Sequence, residues 1–193
     1  MEIKTWPDLP FWEELVEQSP ECTFYHTPLW HKIVADSYKS FSGVTVRIAR
    51  SESDISAYYT IYQDALRRWG DSAQHEFPEK LFVNLFKDAG DGAKIWIAEK
   101  DGKIIAAFTM LYLNRIVTGW HGVALEKYFK CCPNNILHMK IIRDALKNNY
   151  RYYDFGPSGG LEGVLRFKES FGTERRSFDS GHWKKRWGTA KQA

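Results

Sequence analysis

Apolar positions alternate with polar ones from Val44, with Val44, Val46 and Ile48 set against Thr45 and Arg47, which predicts a half-buried strand over 44–49. Ser53 and Asp54 then offer an N-cap for a helix whose apolar face carries Ile55, Tyr58, Tyr59, Tyr62, Leu66 and Trp69, and Gly70 ends it. A second helix bears Phe77, Leu81, Phe82, Leu85 and Phe86, with a break at Gly90 and Gly92. The period next shortens to that of strands. These are expected at 95–98, at 104–113 after the Asp101-Gly102 turn, and at 116–122. Pro133 suits the first turn of a helix with Ile136, Leu137, Ile141, Ala145 and Leu146 as apolar positions. A strand over 152–155, a glycine-rich stretch over 156–163 leading into a short helical piece, and a last strand over 176–187 broken by Gly181 complete the pattern. Upstream, residues 8–38 read as helical in two pieces, interrupted near Ser19-Pro20 and by the extended run 24–28.

From residue 44 the order is β, α, α, β, β, β, α, β, α, β. That predicts an α/β (α+β) chain with one mixed, mostly antiparallel sheet flanked by helices. The 193 residues, 44% of them hydrophobic, suffice for one core and a small N-terminal addition. A net charge of +3 does not by itself call for nucleic acid. Arg175, Arg176, Lys184, Lys185, Arg186 and Lys191 crowd the end of the chain, as a solvated strand and tail or as a site for an anion. The three cysteines, Cys22, Cys131 and Cys132, give neither a disulfide framework nor zinc spacing, which fits a reducing compartment. The N-terminus is acidic and lacks a signal-peptide profile, and no apolar run reaches the roughly 18 residues of a membrane span. The expectation is a soluble, cytoplasmic protein without a membrane span.

The candidate chemistry is sparse. Asp154-Phe155-Gly156 imitates a kinase motif, but the glycine-rich loop, strand lysine and catalytic loop of a kinase are absent. At a strand end, Asp154 either faces a cleft or caps a loop, and Gly156 permits a sharp exit. Ser158, Gly159 and Gly160 offer either close backbone approach to a substrate or a flexible link. Tyr128, Tyr153 and Trp120 are readable as cleft or as core. Cys131 and Cys132, with His138 one or two turns on, form a weak nucleophile-base pattern. No histidine spacing supports a metal, and none is predicted.

Three segments carry a family resemblance. They are Phe24-Tyr25-His26-Thr27-Pro28-Leu29-Trp30; residues 58–70, YYTIYQDALRRWG; and Pro133-Asn134 with its helix, joined to Tyr153-Asp154-Phe155-Gly156 and residues 163–172, GVLRFKESFG. Together they resemble the FemAB-like branch of the GNAT acyltransferases, which includes peptidoglycan bridge-forming aminoacyltransferases. The resemblance implies a single GNAT-like domain over 43–187, a helical segment over 1–42 as the remnant of a first unit, and a tail over 188–193. Such proteins usually carry two units. The expectation here is therefore a smaller acceptor, a cleft completed by homodimer formation, or lost activity.

By the same resemblance, Lys168 stabilises the charge of acyl transfer and the Phe167 carbonyl orients the attacking amine, with Asp154, Gly156, Ser158, Gly159 and Tyr128 beside the substrate. The donor loop of acyl-CoA enzymes corresponds to residues 129–135, where Lys130, Asn134 and Asn135 are the candidates to hold the donor. That loop lacks glycine, which tilts the expectation from acyl-CoA toward aminoacyl-tRNA. The function implied is transfer of an aminoacyl or acyl group to a small-molecule, peptide or sugar amine of an envelope or polysaccharide precursor. The alternatives are an inactive module docking tRNA or an anionic precursor, and a small-molecule N-acetyltransferase using acetyl-CoA.

Overall fold

Five short stretches of strand pattern become one sheet, in the order β1 (Val44–Ile48), β2 (Ala93–Lys100), β3 (Lys103–Leu113), β4 (Ile116–Ala124) and β5 (Tyr152–Asp154). The computed structural model describes residues 43–70, 73 and 76–177. The helices expected within 8–38 and the extended run 24–28 lie outside them, as do the segments 1–42 and 188–193. The first four strands pair antiparallel, and β4 pairs β5 in parallel. The parallel pair requires a crossover, which α3 (Pro133–Lys147) supplies. The mixed sheet flanked by helices is the architecture that the period pattern implied.

Helices α1 (Glu52–Trp69) and α2 (Glu79–Asp88) cover one face, where Ile55, Tyr58, Ile61, Tyr62 and Phe82 bury against Ile95, Ile97, Ala107 and Val123. Helix α3 packs on the other face through Leu137, His138, Ile141 and Ala145. The helix expected to start at Ser53-Asp54 instead has Ser51 as its N-cap, whose hydroxyl accepts from the Asp54 N–H at 3.4 Å. Asp54 is drawn elsewhere. Its carboxylate takes two nitrogens of Arg47 at 2.8 Å each and the Arg50 N–H at 2.7 Å. Arg47 also reaches Glu99 at 2.6 and 3.0 Å, so one guanidinium joins β1, α1 and β2. Ile48, expected on the buried side of β1, is 37% exposed, and Ala49 beyond it turns inward.

A short 3₁₀ turn at Gly90–Gly92 replaces the simple break after α2, and another at Glu126–Cys131 fills what reads as loop before α3. Pro133 opens α3 as expected. The chain divides into two compact units, Met1–Pro157 and Ser158–Ala193. In the second, α4 (Glu162–Glu169) is followed by Gly172 at φ +70°. Thr173 Oγ1 donates to the Lys168 carbonyl at 3.2 Å and Arg175 pairs with Glu169, so the chain turns back on the helix it has left. The last strand therefore does not begin at Arg176, since 173–177 form no regular element, and its remainder lies outside the described residues.

Candidate active site

The parallel pair of β4 and β5 lasts three residues, Ile116 with Tyr152, Val117 with Tyr153 and Thr118 with Asp154. From Gly119 onward β4 has no β5 partner. The exit of β5 is steered by two glycines. Gly156 sits at φ +69°, and a Cβ there would lie 2.4 Å from the Gly119 carbonyl oxygen. Only glycine fits that close approach. The result is a fork whose β4 arm, residues 119–124, has no strand partner on its β5 side among the described residues.

A bulge shapes the same arm. Thr109 of β3 pairs with His121 and Met110 pairs with Gly119, which leaves Trp120 as the extra residue. Two consecutive side chains, Trp120 and His121, therefore turn to the α1–α2 face. Both lie against Phe77 and Phe82, with centroids 5.1–5.8 Å apart. Gly119 and Gly122 turn to the α3 face, where Phe108 lies over both; a Cβ on Gly122 would come within 2.2 Å of that ring. His138 stands edge-on to Phe108 at 4.6 Å and stacks on Phe155 at 4.9 Å.

His121 is a titratable group on the β4 arm of the fork. Its half-buried imidazole sits among Tyr58, Tyr62, Phe77, Phe82 and Trp120. Burial lowers its pKa to about 4, so it is neutral at pH 7. Nδ1 lies 2.5 Å from the Tyr58 hydroxyl, which also donates to the His121 carbonyl at 3.1 Å. Tyr58 is fully buried, and burial holds its phenol far above the usual pKa. Near the other end of this face Arg68 reaches the Ala124 carbonyl at 3.4 Å and lies over Phe129 at 5.2 Å.

At the start of α3 the Asn134 Oδ1 is buried without a partner among the described residues. An orphaned acceptor beside the unsatisfied N–H groups of a helix start is suited to a ligand bearing both amide and anionic groups. Among the described residues no cluster of His, Cys, Asp or Glu could hold a metal, and no helix is long and apolar enough to cross a membrane.

Residues 34–169 match the family model described as an acetyltransferase (GNAT) domain. The chain belongs to the GNAT acetyltransferase family. An aminoglycoside acetyltransferase, meta-AAC0020, from an uncultured soil metagenomic sample shares the fold at TM-score 0.60 and 9% identity, covering 74% of this chain and 97% of that one. The ribosomal-protein-S18-alanine N-acetyltransferase of Escherichia coli matches at TM-score 0.57 and 16% identity, over 69% and 79% of the two chains. A ribosomal-protein-alanine N-acetyltransferase from Brucella melitensis biovar Abortus 2308 matches at 0.56 and 12%, over 75% and 99%. No curated protein matches the sequence.

Within this GNAT domain the expected site residues fall into three groups. Asp154 and Gly156 stand at the fork, but Asp154 Oδ1 accepts from the Gly156 N–H at 2.8 Å, so the carboxylate caps its own turn. Lys130, Asn134 and Asn135 gather at the start of α3, and half-buried Tyr128 precedes them with Lys127 over its ring at 5.1 Å. Phe167 and Lys168 lie on α4 of the second unit, as Ser158 and Gly159 lie just before it. The Phe167 carbonyl accepts from the Ser170 hydroxyl at 2.6 Å, and its ring meets Phe171 at 5.3 Å. The pattern of Cys131 and Cys132 with His138 finds no support, because His138 is buried and its Nδ1 lies 2.5 Å from the Tyr153 hydroxyl. His121, Tyr58 and Thr109 were not singled out by sequence as site residues; the signal was a polar residue within the apolar run that ends β4.

Proposed function

We propose that the protein transfers an acetyl group from acetyl-CoA to an amine, with the β4–β5 fork as the transfer site and His121 as the proton acceptor. The observation that carries this reading is the juxtaposition of the β4 edge, which has no β5 partner beyond Thr118, with the neutral His121 imidazole beside the Trp120 bulge. GNAT acetyltransferases use acyl-CoA, whose thioester supplies the activated acyl group. Asn134 with the free N–H groups of the α3 start fits the amide and phosphate chemistry of such a donor, and Lys130 adds a positive charge there. The edge of β4 offers main-chain N–H donors to the carbonyl under attack. His121 takes one proton from the acceptor nitrogen as the C–N bond forms and the C–S bond breaks. The departing thiolate or solvent receives that proton.

The test uses the full chain with acetyl-CoA and a panel of small-molecule, peptide and aminosugar amines, reading release of free thiol. Loss of a general base lowers turnover by about 10²–10⁴-fold, so His121→Ala is expected to fall at least 100-fold while the KM for acetyl-CoA holds. Undiminished turnover in that variant removes His121 from the chemistry. A second reading keeps the FemAB-like resemblance of GVLRFKESFG, with aminoacyl-tRNA as donor, an envelope or polysaccharide amine as acceptor, and Lys168 and the Phe167 carbonyl at the transfer point. It gains if charged tRNA supports transfer, acetyl-CoA does not, and Lys168→Ala abolishes turnover. Binding of tRNA without turnover would instead favour a docking module. Self-association completing the cleft is checked by sedimentation.

A further inference from the structure

Three contacts converge on the Tyr58 hydroxyl, and they can be resolved by counting protons. Tyr58 has one to donate. The His121 carbonyl oxygen, 3.1 Å away, can only accept. Thr109 Oγ1, fully buried on β3 opposite His121, donates to the Tyr58 oxygen at 3.2 Å. His121 Nδ1 stands 2.5 Å from the same oxygen. If the phenol proton went to Nδ1, the phenol and carbonyl oxygens would face each other at 3.1 Å with no proton between them. If it goes to the carbonyl, every contact is satisfied, and the proton between Tyr58 and the ring must belong to Nδ1.

We infer that Tyr58, held by Thr109, is a positioning residue that keeps the His121 proton on Nδ1 and leaves the Nε2 lone pair free to accept a proton. Nε2 makes no hydrogen bond with a described residue. Among the described residues the buried side-chain atoms that lack a partner are Asn134 Oδ1 and Asp144 Oδ2, and Nε2 is not among them. The opposite tautomer would point an N–H at the acceptor amine and could not take its proton. Tyr58 is suited to this part because it is immobile and stays protonated. Its ring is fully buried, edge-on to Phe82 at 4.9 Å, and its oxygen spans α1, β3 and β4. No carboxylate or cation contacts the imidazole among the described residues, so the tautomer is set by hydrogen bonds and not by an ion pair. This inference rests on the reading of His121 as the base, and the experiment separates the two.

The measurement is a two-bond ¹H–¹⁵N correlation spectrum of the full chain with ¹⁵N-labelled histidine at pH 7, with His121 assigned by its absence from His121→Ala. The wild type is expected to show a protonated Nδ1 and an unprotonated Nε2. In Tyr58→Phe the Nδ1–H would face an apolar ring, so the proton should move to Nε2. Turnover with acetyl-CoA should then fall about 10–100-fold with an unchanged KM for acetyl-CoA, less than the roughly 10²–10⁴-fold expected for loss of the base itself. Thr109→Ser, which keeps the hydroxyl, should retain the wild-type spectrum. Thr109→Val should shift it part of the way, and it serves as the test if Tyr58→Phe does not fold. A protonated Nε2 in the wild type overturns the inference, as does an unchanged spectrum in a folded Tyr58→Phe. An active His121→Ala enzyme with the expected tautomer in the wild type overturns only the base assignment.

Discussion

A half-buried imidazole without a charged neighbour among the described residues trades basicity for availability. His121, with a pKa of about 4 against an ordinary 6.5, is unprotonated across the whole range in which an acceptor amine can be made nucleophilic. The acid limb of kcat/KM assigned to His121 is therefore expected near pH 4, and titration of its ring by NMR checks this directly. A limb at pH 6–7 that disappears in His121→Ala would refute it. The linkage has a definite sign. Because the folded pKa is depressed, the stability tied to the neutral ring is present above about 6.5, and it is lost as pH falls toward 4. A second residue-level expectation concerns Gly122. A methyl group there meets the Phe108 ring at 2.2 Å, and overpacking of this kind costs about 1–3 kcal/mol. Thermal unfolding of Gly122→Ala should show that loss, and adding Phe108→Leu should recover part of it.

At the scale of elements, the clamp of Arg47 on Asp54 and Glu99 joins two strands to the start of α1. The Arg47 hydrogen bonds hold the Asp54 pKa at about 2, below its ordinary value of 3.8, and the Arg47 guanidinium is itself held well above its usual range. A carboxylate with a depressed folded pKa stabilises above its unfolded pKa, and that contribution fades as pH falls from about 4 through 2. Its size is on the order of 2 kcal/mol. Asp54→Asn should lower the melting temperature by several degrees at pH 7 and by less at pH 2–3; equal losses at both would mean that packing, not charge, is what the substitution removes. This clamp also shows what the sequence could and could not convey. The amphipathic faces of α1 and α3 and the strands β2–β4 were legible because burial imposes a fixed period. Three nearby hydroxyl and carboxyl groups competed for one cap, and tertiary pairing with Arg47 decided the choice. The bulge at Trp120 was not legible within the strand expected over 116–122, since a bulge is created by the partner strand's register. Asp154 and Asn134 were visible as polar residues at element ends, but their different circumstances, one self-capped and one orphaned, depend on backbone turns that composition does not record.

For the whole molecule, the donor is the natural probe of the GNAT assignment. A ligand that binds only the folded form stabilises it by RT ln(1 + [L]/Kd), about 2.7 kcal/mol at a hundredfold excess over Kd. Acetyl-CoA should raise the melting temperature in a concentration-dependent way, whereas charged tRNA should not. The reverse outcome would favour the aminoacyl reading. The second unit enters the same measurement, because a substitution at Lys168 that leaves the acetyl-CoA shift intact but stops turnover would give α4 a part in chemistry and not in donor binding.

The bulge in β4 has a genetic consequence. An extra codon in a strand ordinarily reverses the facing of everything after it, yet here Gly119 and Gly122 keep one face while Trp120 and His121 share the other. Codon 120 is thus a removable insertion. Its deletion should leave His121 opposite Thr109 and Val123 in the core, whereas deletion of codon 123 should misplace the end of the strand. Yields of folded protein from the two single-codon deletions would reveal the difference, and chains of common descent could gain or lose that codon without changing the reading of the strand around it.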